Sequence, residues 1–308
     1  MVSAKLEKLR SLLESYESCI VAYSGGVDSV FLAHFAHKVL GNRALAVIAD
    51  SPSLPRRELD EALEIAGQFD FPVRTVRTAE FDNPSYLANP SNRCYFCKHE
   101  LFDELVPLAK AEGFARVVYG ENASDAGDFR PGAKAAAEFQ ICAPLKEVGL
   151  TKSEIRNLSR ELGLPTADKP QMACLSSRIP YGEAVTPLKL SMIEAAENVL
   201  RDMGFYDVRV RHHELRTSPP DLSGNSNAAV QPKSATHLAR IETGVSEIVR
   251  LMTNGVPSQI ADALRKIGYT HVTLDLQGYR RGSTNEELPH NAKPLEIVEK
   301  TQEAPRGS

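Results

Sequence analysis

At 308 residues the chain can hold about two domains, each with its own core. Its 42% hydrophobic and 25% charged content is that of a soluble globular protein, and a net charge of -4 gives no general attraction to nucleic acid, leaving room only for a local basic face. No apolar run approaches the roughly 20 residues of a bilayer span, and Met1 to Lys5 leads into a charged helix rather than a signal peptide, so the cytoplasm is the expected compartment.

The first strong signal is the apolar run Cys19 to Tyr23, joined through Ser24-Gly25-Gly26-Val27-Asp28-Ser29 to a helical pattern over Val30 to Leu40. A strand, a tight glycine turn and a helix start make an anion site. Adjacent glycines let backbone N–H groups approach an anion closely, and the first helical turn adds unpaired N–H groups and a favourable dipole. Ser24 and Ser29 supply hydroxyls, and Asp28 is placed to hold a magnesium ion that a polyphosphate brings. The plainer reading is a strand-to-helix turn capped by Ser and Asp. The lysine of a G-x-x-x-x-G-K-S/T loop is missing, which disfavours an ordinary kinase or GTPase.

Strand-like runs at Ala44 to Ala49, Val73 to Val76 and Arg116 to Tyr119 alternate with helical patterns at Pro55 to Phe69 and near Lys98 to Glu112, which predicts an α/β fold with a doubly wound, mostly parallel sheet. A short apolar segment follows at Ile141 to Leu145. Thr151-Lys152-Ser153-Glu154 reads as a capping box that opens a helix ending at Gly163. In such sheets ligands bind outside the carboxyl ends of the strands, where Ser24 to Ser29, Asp50-Ser51 and Gly120 to Asn122 all fall.

The first domain is drawn at 1–182. A smaller α+β domain at 183–283, for substrate or oligomer contacts, reads as helix (Pro187 to Met203), strand (Asp207 to His213), strand (His237 to Glu242), helix (Val256 to Ile267) and strand (His271 to Leu276), with helices on one face of an antiparallel sheet. Thr217 to Thr236, rich in Ser, Asn, Pro and Ala, is expected to be a mobile loop, and 284–308 a flexible tail in which Leu295 to Val298 can dock.

Three constellations carry chemistry. Asn122 and Asp125 follow a strand end and can reach a nucleotide or metal, or simply form an Asx turn. Five cysteines are too few and too odd for a disulfide framework. Of these, Cys94 and Cys97 form a Cys-x-x-Cys whose readings are structural zinc, a redox pair or two ordinary thiols. Cys174 lies beside Ser176, Ser177 and Arg178, a setting that can lower a thiol pKa, although a lone cysteine is more often a buried small hydrophobe, as Cys19 and Cys142 are expected to be. With Cys94 and Cys97 it could hold three irons of a 4Fe–4S cluster and leave the fourth open. Finally, Arg209 and Arg211 share one face of a strand, suited to a phosphate or carboxylate, or to a solvated surface.

The Ser24 to Ser29 hexapeptide resembles the pyrophosphate-binding loop of the PP-loop ATP pyrophosphatases, and Asn122 to Asp125 resembles their G-x-N-x-x-D element. Together with Asp128 to Gly132, Cys174 to Gly182 and Val208 to Arg211, the pattern over about residues 5 to 280 is similar to the LarE family of ATP-dependent sulfur transferases. That resemblance implies ATP and Mg2+ as cofactors at Ser24, Gly25, Gly26, Asp28, Ser29, Asn122 and Asp125. It implies adenylation of a carboxylate of pyridinium-3,5-biscarboxylic acid mononucleotide, held by Arg178, Arg209 and Arg211, with pyrophosphate as leaving group. Cys94, Cys97 and Cys174 resemble the three-cysteine branch, whose 4Fe–4S cluster delivers sulfide. In single-cysteine members the residue matching Cys174 gives up its own sulfur and becomes dehydroalanine. Expected partners are the small-molecule mononucleotide, a sulfur donor the sequence leaves unnamed, and further copies of the chain. A tRNA thiolase and a non-catalytic zinc- or nucleotide-binding module are the alternatives.

Overall fold

A computed structural model describes residues 2–125, 131–170, 173–215 and 236–280. The expected elements at Asp128 to Arg130, the loop from Thr217 and the 284–308 tail lie outside the described residues. The first half runs α1 (Val2–Tyr16), β1 (Cys19–Tyr23), α2 (Val27–Leu40), β2 (Ala44–Asp50), α3 (Arg56–Gln68), β3 (Val73–Arg77), α4 (Pro84–Leu87), α5 (Arg93–Glu112), β4 (Arg116–Tyr119), α6 (Pro131–Glu138), α7 (Pro144–Glu147) and α8 (Lys152–Glu161). Its four strands are all parallel, in the order β3-β2-β1-β4, with Cys19 of β1 opposite Ala44 on one side and Arg116 on the other. The Ile141 to Leu145 segment is no full strand: it adds a single parallel bridge, Val118 to Cys142, before Pro144 starts α7.

Side chains alternate across the sheet, so Cys19, Val21 and Tyr23 enter a core with α1, α2, α3 and α8, while Ile20 enters the opposite core with Phe102 and Leu105 of α5 and Ala135 of α6. Burial on both faces explains why these strands read as continuous apolar runs. Because β1 has β2 on one side and β4 on the other, the crevice at its carboxyl end is the topological switch point, where ligands of such sheets bind.

The second unit contains α9 (Pro187–Asp202), β5 (Val208–Leu215), β6 (Thr236–Thr243), α10 (Val245–Leu251), α11 (Val256–Ile267) and β7 (His271–Leu274). Its sheet, ordered β5-β6-β7, corrects the antiparallel expectation: β5 and β6 are antiparallel, but β6 and β7 are parallel. The connection from β6 to β7 passes through α10 and α11, and such a crossover returns the next strand in the same direction. α9 and α11 cover one face of this sheet through Ala196, Leu200, Ile260 and Leu264. A further apolar cluster runs across residue 182, joining Tyr86, Leu175 and Ile179 to Val185, Leu190 and Ile193. Among the described residues no helix is long and apolar enough to cross a membrane.

Candidate functional site

The turn after β1 is built around two glycines and Ser29. Gly25 has φ +69°, and a Cβ there would meet the Ala62 Cβ of α3 at 2.9 Å, so the position needs glycine on both counts. Gly26 is the extended N-cap of α2 and offers no side-chain cap, which leaves the first-turn N–H groups available to an anion. Ser29 closes the loop: its Oγ accepts the Ser24 N–H at 3.1 Å, donates to the Gly26 carbonyl at 3.0 Å and lies 3.1 Å from the Ser24 Oγ. Asp28, one position earlier in α2, is ion-paired with Lys152 Nζ at 2.6 Å. The end of β4 presses on this loop. A Cβ on Gly120 would stand 3.0 Å from the Ser29 nitrogen and 3.1 Å from the Asp28 Cβ.

Asn122 and Asp125 form the turn expected of them, with Asn122 Oδ1 accepting the Ser124 N–H at 2.9 Å and Asp125 Oδ2 accepting the Asn122 N–H at 3.1 Å. The turn does not use all of Asn122. Its amide nitrogen is buried with no partner among the described residues.

Beside the loop lies a cavity of about 220 Å³, walled by Ser24 and Gly26, floored by Ile48, Ala49 and Leu54, and bounded by Cys97 and Cys174. An apolar slot continuous with an anion-binding loop suits a nucleotide, the base on the aliphatic floor and the phosphates at the glycines. Asp28 is a hard oxygen donor next to that loop, the chemistry Mg2+ needs when it is shared between one carboxylate and substrate phosphates.

The structure places two of the three expected cysteines, Cys97 and Cys174, on the wall of this cavity, and Cys94 is not among its lining residues. Cys94 and Cys97 lie in the first turns of α5, three apart and so on one side of the helix. Cys174 caps the short turn Leu175–Arg178. Burial first, then the charges of Cys174, Glu80 and Cys94, push the Cys97 thiol well above its usual range, and Arg93 feels both Cys174 and Cys94. The three thiols are within one another's electrostatic range. Yet among the described residues no group of three or more His, Cys, Asp or Glu side chains is assembled as a metal cage. Cys19 is fully buried in β1, as expected, whereas Cys142 is half-buried.

The Cys174 turn is anchored from several sides. The Leu175 N–H donates to the Ser53 carbonyl at 2.8 Å, Ser176 Oγ lies 2.7 Å from the Tyr86 hydroxyl, and Arg93 donates to the Ser176 carbonyl at 3.0 Å. Arg178 is 1% exposed and turned inward, with Nε on Glu197 of α9 at 2.8 Å and Nη1 on the Ala173 and Cys174 carbonyls at 2.6 and 3.1 Å. Arg209 and Arg211 are buried too, which removes the solvated-face reading of β5. Arg211 donates to the Ser177 carbonyl at 2.8 Å and to Glu242 at 2.8 Å, while Arg209 lies over the Tyr279 ring and lines a second cavity of about 280 Å³ with Lys169, Arg201 and Tyr206. Burial, then the Arg178 charge, hold Arg209 below the usual arginine value. Glu58 borders both cavities, so they adjoin one another beside the phosphate loop.

Sequence reasoning missed Lys152, Lys169 and Glu197. Lys152 was legible only as part of a capping box, and Lys169, which binds Glu58 at 2.7 Å and Glu61 at 2.9 Å, gave no local signal.

No protein-family model matches the chain. It is 41% identical over 288 residues to an uncharacterized protein of Synechocystis sp., covering 94% of this chain and 99% of that one. It is 30% identical over 288 residues to the pyridinium-3,5-bisthiocarboxylic acid mononucleotide synthase of Lactiplantibacillus plantarum, covering 93% of this chain and 96% of that one. Weaker similarity, 28% over 197 residues, links 59% of the chain to 62% of a glutamine-hydrolyzing GMP synthase component from Thermoplasma volcanium.

Proposed function

The chain belongs to the LarE family of PP-loop enzymes, and from that premise we propose that it is an ATP-dependent sulfur transferase acting on pyridinium-3,5-biscarboxylic acid mononucleotide. The observation that carries this reading is a single cavity bounded by both the phosphate loop and Cys174. ATP would place its base on Ile48 and Ala49 and its phosphates at the Ser24 to Ser29 loop, where Asp28 would hold Mg2+. A substrate carboxylate oxygen attacks the α-phosphorus, the bond to the β-phosphate breaks, and pyrophosphate leaves against the glycine N–H groups and the helix dipole. Sulfur then attacks the acyl carbon of the adenylate, AMP departs, and a thiocarboxylate remains. Arg209, on the wall of the second cavity, holds the anionic acceptor together with Arg211, which lines a separate small pocket beside Ser177 and Arg178, and Arg178 keeps the Cys174 turn in place.

For the sulfur source we favour a 4Fe–4S cluster, which Cys94, Cys97 and Cys174 would hold and which would supply the sulfide. A second reading is favoured by the lack of a ready-made cage among the described residues: Cys174 itself attacks and then loses its sulfur by β-elimination. Anaerobic purification with iron and zinc analysis, followed by turnover with ATP, Mg2+ and the acceptor, tests both. AMP, pyrophosphate and thiocarboxylate are the expected products, and their absence overturns the transferase reading. A loss of about 34 Da at Cys174, the mass of hydrogen sulfide, replaces the cluster by the sacrificial route. Stoichiometric zinc without iron removes the cluster.

A further inference from the structure

The phosphate loop contains no lysine, but the fold delivers one from 124 positions away. Lys152 is the first residue of α8, and its ammonium is 2.6 Å from Asp28 Oδ2, with the two side chains 32% and 18% exposed. The backbone around it is fixed independently of that contact. Thr151 and Glu154 form a complete capping box, the Lys152 N–H donates to Ser124 Oγ at 3.0 Å, the Ala123 N–H donates to the Leu150 carbonyl at 2.8 Å, and Lys5 clamps Gly149 and Glu154 at 2.7 and 2.8 Å. The ion pair is therefore not needed to hold α8, and only the flexible stem of Lys152 must move for its charge to move.

Among the described residues Asp28 is ion-paired with the Lys152 ammonium, and the Mg2+ that a polyphosphate brings would claim the same carboxylate. Two further lysines lie near the loop: Lys169, 3.5 Å from the Gly25 carbonyl, is already bound by Glu58 and Glu61, and Lys98, on the wall of the same cavity as Ser24 and Gly26, stands 4.4 Å from the Tyr119 ring. We propose that Lys152 is a phosphate-binding residue that works by exchange. Without nucleotide it neutralises Asp28; when magnesium triphosphate arrives, the metal takes the carboxylate and the ammonium transfers to the phosphate oxygens. A metal without nucleotide offers the displaced ammonium no anion, because a magnesium-bound triphosphate is still negative and a bare cation is not. Lys152 therefore opposes metal alone and favours metal with nucleotide. This rests on the ATP reading above.

The two signs are measured separately in the full chain, with Mn2+ alone followed by electron paramagnetic resonance, and with Mg2+ and ATP followed by calorimetry. Lys152→Gln should bind Mn2+ alone about two- to fivefold more tightly than wild type, the range of one lost ion-pair competitor. It should bind ATP with Mg2+ about tenfold more weakly, and Lys152→Arg should restore ATP binding. Equal affinities in Lys152→Gln and wild type, or a parallel loss of both accompanied by a lower melting temperature, overturn the exchange while leaving the ATP reading standing. Wild-type protein that binds no ATP with Mg2+ overturns both.

Discussion

Arg178→Met isolates the post beneath the Cys174 turn. Its guanidinium and the Glu197 carboxylate are 1% and 2% exposed and are joined at 2.8 and 3.1 Å, so the substitution leaves a buried carboxylate without its main partner. Breaking one side of such a pair costs about 3–5 kcal/mol. Glu197 keeps the Val210 N–H at 3.1 Å and has Arg201 at 3.9 Å, which places the expected loss near the lower end, about 3 kcal/mol. Adding Glu197→Gln should return about 2 kcal/mol, because the buried carboxylate left without its main partner is then gone and the Gln carbonyl still accepts the Val210 N–H. Burial pushes the Glu197 carboxyl up, but the Arg178 charge and hydrogen bonds outweigh it and hold the folded value below 4.5. This contribution is therefore present above 4.5 and lost as pH falls through the lower folded value, and Arg178→Met removes that dependence. The chain has no tryptophan, so urea unfolding is followed by far-ultraviolet circular dichroism, with the rate of Cys174 alkylation as a second readout that should rise as the turn loosens. A single-variant loss under about 1 kcal/mol, or a double variant no more stable than Arg178→Met, refutes the reasoning.

Asp28→Asn should abolish ATP cleavage to AMP and pyrophosphate while the melting temperature stays near wild type, since Asp28 is partly exposed at a helix start; product analysis showing near-normal pyrophosphate release removes it from the reaction. Arg209→Ala and Arg211→Ala should each weaken acceptor binding by about 1.5–3 kcal/mol with ATP binding little changed, and unchanged acceptor affinity in both variants returns these side chains to a purely structural role. His212 is fully buried between Tyr269 and His237 at 3.1 Å each, and burial, followed by the charges of His237 and Lys189, lowers its pKa from 6.5 to about 4. The unfolded chain takes up a proton over that interval and the folded one does not, so stability should fall as pH drops from 6.5 to about 4, and a pH–stability curve unaltered by His212→Gln contradicts the assignment.

Local pattern determined much of this molecule. Strand β1, the glycine turn and the start of α2 follow from five apolar residues meeting two glycines, and the Thr151 cap and the end of α8 follow from side chains a few positions apart. The parallel sheet was legible because strands buried on both faces read as unbroken apolar runs between helical periods. The sequence also singled out Cys94, Cys97 and Cys174, but it could not show that α5 and the Cys174 turn meet at one cavity, because that depends on Arg93, Tyr86 and Ser53 holding the turn from separate elements. Arg178, Arg209 and Arg211 read as accessible cations; only packing decided that they are buried and partnered by Glu197, the Val208 carbonyl and Glu242. The parallel pairing of β6 with β7 was equally hidden, since strand direction is set by the route of the connection and not by the strand's residues. The Lys152 to Asp28 contact spans 124 positions, and no period, cap or motif encodes a pairing of two charges that meet only after the sheet has brought β1, β4 and α8 to one edge.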